Sequence, residues 1–582
     1  MDKIGFLIGN WTKSHFLYYN RRVHAINRHE ERIPMKKVLS ILLILIILFG
    51  AGGYLAFRFL NRGSGEVSSQ ADGLAFISDG TSQDSKDFAL IDGQYYLSLD
   101  YIQKNLDETV YYDKNEGIVS FTNKQGLKRL KIDEDTFTLN GKTMELRDPV
   151  IQKDDTILIP TEAFIHDYPV EFRYHKESNK LNLDFTNVNH AVGSALKGTL
   201  LREKASSSSP YITRIQGDEK IIFYGEEGDF YRVRLENGYG GYLLKSNCKV
   251  DFRENKFKGP FAKNEEAQVQ EPLHLTWDYI YGKENQERIN AIQKIPGVDI
   301  IVPTWFSIQD KEGTVYDRGN VAYVNKYRGL GIDVWGYIDN SFDPEITHAS
   351  LSSTAKRDKV LDQLMSLLRI YHMKGVNVDF EHVNLEDGPY ITQFVQELKA
   401  LCYQEDIKVS VDVTPQLSRD PNKEVYNREK LAKAADYIVL MAYDQYWSSS
   451  EKPGSVAEYK WVESHLNTLF RSVPKEKIIL GVPLYTRLWT QSNGKWTSKN
   501  ITMGQAGSYL ASQGQKAKWD DVIKQYVLDT DTEKIWLENS DSLKYKAGLV
   551  PKYGLRGLAS WRKGLETPDV WTVLNQAIHL DK

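Results

Sequence analysis

Lys374-Gly375-Val376-Asn377-Val378-Asp379-Phe380-Glu381 is the stretch whose reading decides the fold. Its residues alternate. Val376, Val378 and Phe380 fall on one side, and Asn377, Asp379 and Glu381 on the other. Period-two alternation reads as a β-strand. Neighbours in the polar row then lie roughly 6–7 Å apart between Cα atoms. Two carboxylates held that close cost stability unless chemistry uses them. One carboxylate's charge can hold the proton on the other, which is what acid/base work requires.

Outward from this strand, short apolar runs alternate with helical patterns from about Pro272 to the C-terminus. The runs are Leu273–Tyr279, Val298–Trp305, Ile332–Tyr337, Val376–Glu381, Ile407–Val413, Tyr437–Tyr443, Ile478–Leu484 and Leu555–Trp561. Between the third and fourth lies an apolar stripe at helical spacing: Val360, Leu361, Leu364, Leu367, Leu368 and Tyr371. Eight such runs with helix-length connections predict a (β/α)8 TIM barrel over residues 272–582, with its chemistry at the C-terminal strand ends. Glu381, Tyr443 and Trp561 each end a run.

At 582 residues the chain is too long for one ordinary domain. A formal net charge of −4 gives no reason to expect a nucleic-acid partner. The two cysteines, Cys248 and Cys402, read as isolated thiols, and the 12 histidines form no close metal-ligand pattern. Residues 38–57 are almost wholly apolar and long enough to cross a bilayer as a helix. The basic residues of segment 1–37 keep that end in the cytoplasm by the positive-inside rule. The expectation is a single-pass cell-membrane anchor with an extracytoplasmic catalytic domain. A cleaved signal peptide starting at Met35 is the rival reading. Residues 58–73 read as a linker.

Residues 74–188 contain a duplication. Tyr95 to Ile102 resembles Thr156 to Ile165, and a strand-like pair follows each. A short helix plus a hairpin, repeated, makes a small α+β unit. It resembles the copper amine oxidase N-terminal-like domain, a name that implies no copper here. Residues 191–252 resemble a bacterial SH3-like β-barrel through Leu200-Leu201-Arg202, Phe230 to Arg234 and Asn237 to Leu243. Such a module binds wall material or serves as a spacer. Residues 253–271 read as a second linker.

The C-terminal region resembles glycoside hydrolase family 18, the chitinases and related N-acetylglucosaminidases. Lys374 to Glu381 matches the family's D-G-x-D-x-D-x-E strand with two departures. Met441-Ala442-Tyr443-Asp444, Leu480 to Tyr485 with Arg487, and Gly557 to Trp561 with Gly564 match further motifs in order. The resemblance implies a retaining, substrate-assisted reaction without metal or cofactor; the family is a known exception to the two-carboxylate scheme. Glu381 would be general acid and then base. Asp379 would orient the sugar's acetamido group, whose carbonyl oxygen attacks, and Tyr443 would hold that oxygen. Asp444 would contact the sugar and Trp561 would floor it. Tyr485 and Arg487 would line the cleft or close the barrel.

Lys374 and Asn377 replace two of the family's aspartates. Asn377 is expected to donate a hydrogen bond to Asp379 and to tune the pH profile, or to serve only as barrel-interior packing. His382 is expected to pack outward against a helix. Trp305, Trp335, Trp447 and Trp489 are sugar platforms or core. The implied substrate is a polysaccharide with β-1,4-linked N-acetylglucosamine, peptidoglycan or chitin. The alternatives are a chitinase-like lectin without turnover and an envelope scaffold.

Overall fold

The computed structural model describes residues 63–579 apart from 218, 252–270, 283, 513 and 515. The expected anchor at 38–57 and most of the second linker lie outside the described residues. Among the described residues no helix is long and apolar enough to cross a membrane.

The C-terminal unit is built on parallel strands rich in β-branched residues. They are β1 (Leu273–Asp278), β2 (Ile300–Pro303), β3 (Gly336–Asp339), β4 (Gly375–Asp379), β5 (Lys408–Val413), β6 (Tyr437–Met441), β7 (Ile478–Pro483) and β8 (Gly557–Trp561). Leu275 on β1 pairs with Ile300 on β2 and with Ala559 on β8, so the ladder closes on itself. A short strand, Asp333–Val334, leads into β3 and pairs with β2. All these pairings are parallel. Parallel strands bury both faces, which is why β2 and β7 read as unbroken apolar runs.

Val376 and Val378 face the helical layer, whereas Trp277, Tyr337, Val439 and Ile479 fill the interior. Trp335 plugs that interior below β4. A Cβ at residue 375 would fall 2.2 Å from its ring, so Gly375 is needed for close approach. Helix α1 (Thr354–Ile370) is capped by Ser353 and buries Val360, Leu361, Leu364 and Leu368, as the stripe predicts. Helix α2 (Gly388–Tyr403) follows β4. Between β7 and β8 stands a five-stranded antiparallel insertion that begins at Tyr485–Ser492. Tyr485 and Arg487 therefore sit on the insertion, not on a barrel strand.

In the duplicated unit Ala75–Ser78 pairs in parallel with Lys180–Phe185, which joins its two ends. The first repeat forms the helix Leu99–Asn105, but the second makes only 3-10 turns at Thr161–Ala163 and Ile165–Asp167. Pro160 and Pro169 bracket that second segment, and the residue before a proline resists helix. The SH3-like unit is a seven-stranded sheet. Part of the expected first linker is pinned to it: Ser68 N donates to Tyr211 O at 2.8 Å, and Tyr211 N to Glu66 O at 2.9 Å.

The duplicated unit docks against α1 and α2. Arg129 Nη1 donates to Glu397 Oε1 at 2.7 Å, and Arg357 Nε donates to Glu397 Oε2 at 3.1 Å. Thr354 Oγ1 donates to Asp113 Oδ2 at 2.7 Å. Burial alone would raise the Glu397 pKa, but the two guanidiniums outweigh it and hold the carboxyl at about 2.

Candidate active site

Parallel pairing of β4 with β3 and β5 sets the polar row of β4 between two others. Tyr337 stands beside Asn377, and Asp339 beside Asp379. Ser410 lies on the other side of Asn377, and Asp412 follows it on the same face of β5. The result is a polar layer at the C-terminal mouth. A cavity of about 500 Å³ opens above it and is lined by Asp379, Glu381, Asp412, Tyr443, Asp444 and Trp561, among others.

Asp379 is buried. Its Oδ2 accepts from Tyr337 Oη at 2.8 Å, and its Oδ1 has no partner among the described residues. Glu381 lies just past the strand. Its main chain is clamped by Asn340, which accepts from Glu381 N at 3.1 Å and donates to Glu381 O at 2.7 Å. Its carboxyl lines the cavity. Trp561 packs edge-on against Trp277 and Tyr279, with centroids 5.7 and 6.3 Å away. Asp444 takes a left-handed conformation (φ 56°) that turns the chain directly after Tyr443. Its Oδ1 accepts from Tyr485 Oη and from Arg487 Nη2, the latter at 2.9 Å.

Several expectations need correction. Asn377 does not donate to Asp379. Its Nδ2 donates to Ser410 Oγ at 3.0 Å and to Asp412 Oδ1 at 2.7 Å, while its Oδ1 accepts from Trp277 Nε1 at 2.9 Å. With both amide hydrogens taken and the side chain wholly buried, it lies beneath the cavity and not in its lining. Tyr485 and Arg487 are buried and act on the cavity through Asp444. His382 is exposed, because the strand ends at Asp379 and the chain turns at His382 with φ 52°. Its ring neighbour is Phe342 on the loop after β3. Trp305, Trp335 and Trp489 are core, and Trp447 is 57% exposed away from the cavity lining.

Site residues that escaped sequence reasoning include Tyr337, Asp339, Asp412 and Arg318, all in the cavity lining. The alternation Val409-Ser410-Val411-Asp412-Val413 carried the same polar-row signal as β4.

Burial raises the Asp379 pKa well above its ordinary value, and the Glu381 and Asp412 charges push it further. Burial also raises Glu381, with Asp444 adding to the rise and His382 opposing it. Asp412 is raised first by burial, against the Asn377 hydrogen bond, and then by Glu381. Three carboxyls this close in a dry site do not all ionise together, so the cluster retains a proton into the range where an isolated carboxyl has lost it. The arrangement can hold a proton on the coupled carboxyl cluster, with Glu381 at the cavity and, beside it, an Asp379 oxygen that has no partner among the described residues.

Residues 279–565 match the profile of glycosyl hydrolases family 18, residues 78–183 that of the copper amine oxidase N-terminal domain, and residues 197–248 that of the bacterial SH3 domain. The chain thus carries a family 18 glycosyl hydrolase domain behind two smaller modules, and its class is glycoside hydrolase. It is similar to the uncharacterized glycosylase YvbX of Bacillus subtilis (strain 168), 27% identical over 46% of this chain and 81% of that protein. It is also similar to the cortical fragment-lytic enzyme of the same organism, 23% identical over 42% of this chain. That match spans 59% of the relative's length. A chitinase structure from Chromobacterium violaceum ATCC 12472 aligns at 23% identity with a TM-score of 0.48, over 53% of this chain and 100% of that one.

Proposed function

We propose that the protein hydrolyses β-1,4-linked N-acetylglucosamine-containing glycans, peptidoglycan or chitin, with retention of anomeric configuration. The supporting observation is the arrangement at the end of β4. Glu381 opens onto a cavity shared with Tyr443 and Trp561, and a buried Asp379 with one free oxygen lies behind it. In this reading Glu381, its proton held by burial, protonates the glycosidic oxygen. The acetamido carbonyl oxygen of the sugar on Trp561 attacks its own anomeric carbon and forms an oxazolinium ion. The acetamido N–H meets Asp379 Oδ1, and Tyr443 Oη steadies the carbonyl oxygen. Glu381 then takes a proton from the water that opens the ring, which restores the acid. Asp444, fixed by Arg487 and Tyr485, contacts the same sugar.

The proposal places the chain on the cell membrane through residues 38–57, with the barrel outside and the SH3-like unit near wall polymer. Its support is the apolar run and the basic residues before it. The deciding experiment digests purified peptidoglycan and chitin oligomers with the protein. Mass spectrometry reads the products, and proton NMR reads the first-formed anomer. Saccharide products with the β-anomer first are expected; an initial α-anomer would remove the retaining scheme, and no cleavage of either polymer would remove the hydrolase reading.

A further inference from the structure

The cavity lining holds five carboxyl side chains, Asp339, Asp379, Glu381, Asp412 and Asp444, and a single cationic one, Arg318. Asp444 is already answered by Arg487. Arg318 has no carboxylate at ion-pair distance among the described residues, although its charge opposes the rise that burial imposes on the Asp339 pKa. It follows the strand Val315–Asp317, which pairs with Phe306–Ile308 beside β3.

Its guanidinium is held in place by a hydroxyl, a carbonyl and a ring, with no salt bridge among the described residues. Nη1 donates to Ser307 Oγ at 3.2 Å and to Trp305 O at 3.4 Å, and the plane lies over the Tyr316 ring at 4.7 Å. Ser307 in turn donates to Asp339 Oδ2 at 3.0 Å, so the hydrogen-bonded link from Arg318 to that acid runs through a hydroxyl, and the Arg318 charge acts on it without direct contact. Nε and Nη2 have no protein acceptor among the described residues, although the residue lines the cavity. A fixed guanidinium with free donors is shaped to take a carboxylate from outside.

Pinning the hairpin does not require this charge, because Arg318 N already donates to Trp305 O at 3.2 Å. Nor does the charge serve the catalytic acids, since Glu381 answers to His382 and Asp444. A second arginine repeats the arrangement at the rim. Arg562 lies over the Tyr279 ring at 5.0 Å, without a carboxylate at ion-pair distance among the described residues. A neutral N-acetylglucosamine strand offers neither guanidinium a counter-charge.

We propose that Arg318 is a specificity residue that binds a carboxylate borne by the glycan, so that the site favours a muramyl-containing strand over a neutral chitin-like one. This rests on the hydrolase reading above. The carboxylate is supplied either by the 3-O-lactyl arm of a muramyl residue or by a peptide attached to that arm.

The test compares wild type, Arg318→Gln and Arg318→Lys on three soluble substrates: chitotetraose, a peptide-free N-acetylglucosamine–muramic acid tetrasaccharide, and the same tetrasaccharide with its peptides. Calorimetric binding of each is measured alongside turnover. Arg318→Gln should raise KM and Kd about tenfold or more on a carboxylate-bearing substrate, the loss of a charge-assisted hydrogen-bonded pair, and leave chitotetraose within about twofold. Arg318→Lys should recover part of the loss. An effect on the peptide-free strand assigns the lactyl acid; an effect only on the peptide-bearing one assigns the peptide. Equal losses on all three substrates, or none, would overturn the proposal. If Arg318→Gln binds the anionic strands more weakly than wild type does, while wild type cleaves nothing, the hydrolase reading fails and this assignment stands.

Discussion

Asn377 turns its amide away from Asp379 and gives it to Asp412, 2.7 Å away on the neighbouring strand. The side chain that departs from the family motif is thereby tied to a carboxyl that the motif does not contain. Among the described residues Asp412 Oδ2 is buried without a partner, as is Asp379 Oδ1. The carboxyl missing at 377 is thus present one strand away.

Substituting either member of this pair should move the pH profile in opposite directions. Asn377→Asp sets a carboxylate against Asp412, and like charge disfavours ionisation. The limbs of kcat/KM against pH should shift upward. Asp412→Asn removes a charge that raises Asp379, so its acidic limb should shift downward. Each shift should approach about one pH unit, as for a close carboxyl pair. Profiles that keep their limbs while only their height changes would reduce the pair to packing.

Glu381→Gln keeps the shape of the side chain and removes its proton transfer. Turnover should fall by about 10²–10⁴, the usual contribution of a positioned acid/base group, while Kd for an oligosaccharide stays nearly constant. Because burial raises the Glu381 pKa, the wild-type alkaline limb should lie above that of an ordinary glutamate. Steady-state kinetics with calorimetry checks both. A variant that still turns over at the wild-type rate would remove Glu381 from the acid/base role.

Tyr443→Phe removes one hydroxyl from the cavity and leaves the ring. A donor aimed at charge that develops during reaction contributes more to kcat than to KM. A fall in kcat of about 10²–10³ is expected, the size seen on losing one such donor, with little change in KM. A rise in KM at constant kcat would make Tyr443 a binding residue only.

The sequence disclosed the barrel strands because parallel pairing buries both faces, and it disclosed Asp379 and Glu381 because they share one face of β4 with Asn377. It did not disclose what surrounds them. Tyr337, Asp412 and Arg318 come to the cavity from β3, β5 and the hairpin after β2, and only register sets Tyr337 and Asp412 beside the polar row of β4. Asn377 was assigned a partner along its own strand, but in a parallel sheet its lateral neighbour Ser410, and Asp412 beyond it, are better placed for its two N–H groups. The strand period does not extend to His382, because the strand stops at Asp379. The docking of the duplicated unit was equally hidden, since Arg129 and Glu397 are far apart in sequence and each alone reads as a surface charge.

That docking gives the last prediction. Glu397 is wholly buried between Arg129 and Arg357. Removing one partner of a buried pair leaves charge uncompensated and costs about 3–5 kcal/mol when no second partner remains. Arg357 remains after Arg129→Ala, so the loss should fall toward the lower end of that range or below it. The Glu397 pKa in the folded protein is depressed to about 2, so its contribution is fully present above an ordinary glutamate pKa of about 4.3 and is lost as pH falls through about 2. The variant should therefore melt lower than wild type at neutral pH, with the gap closing between about pH 4.3 and pH 2. Proteolysis should release the duplicated unit first, because the cut contact lies between that unit and the barrel, while kcat changes by less than about twofold for a contact outside the cavity. Melting curves across that pH window, with limited proteolysis and kinetics on the same samples, check it. A gap that stays constant as Glu397 gains its proton would show that Arg129 acts through something other than this carboxylate.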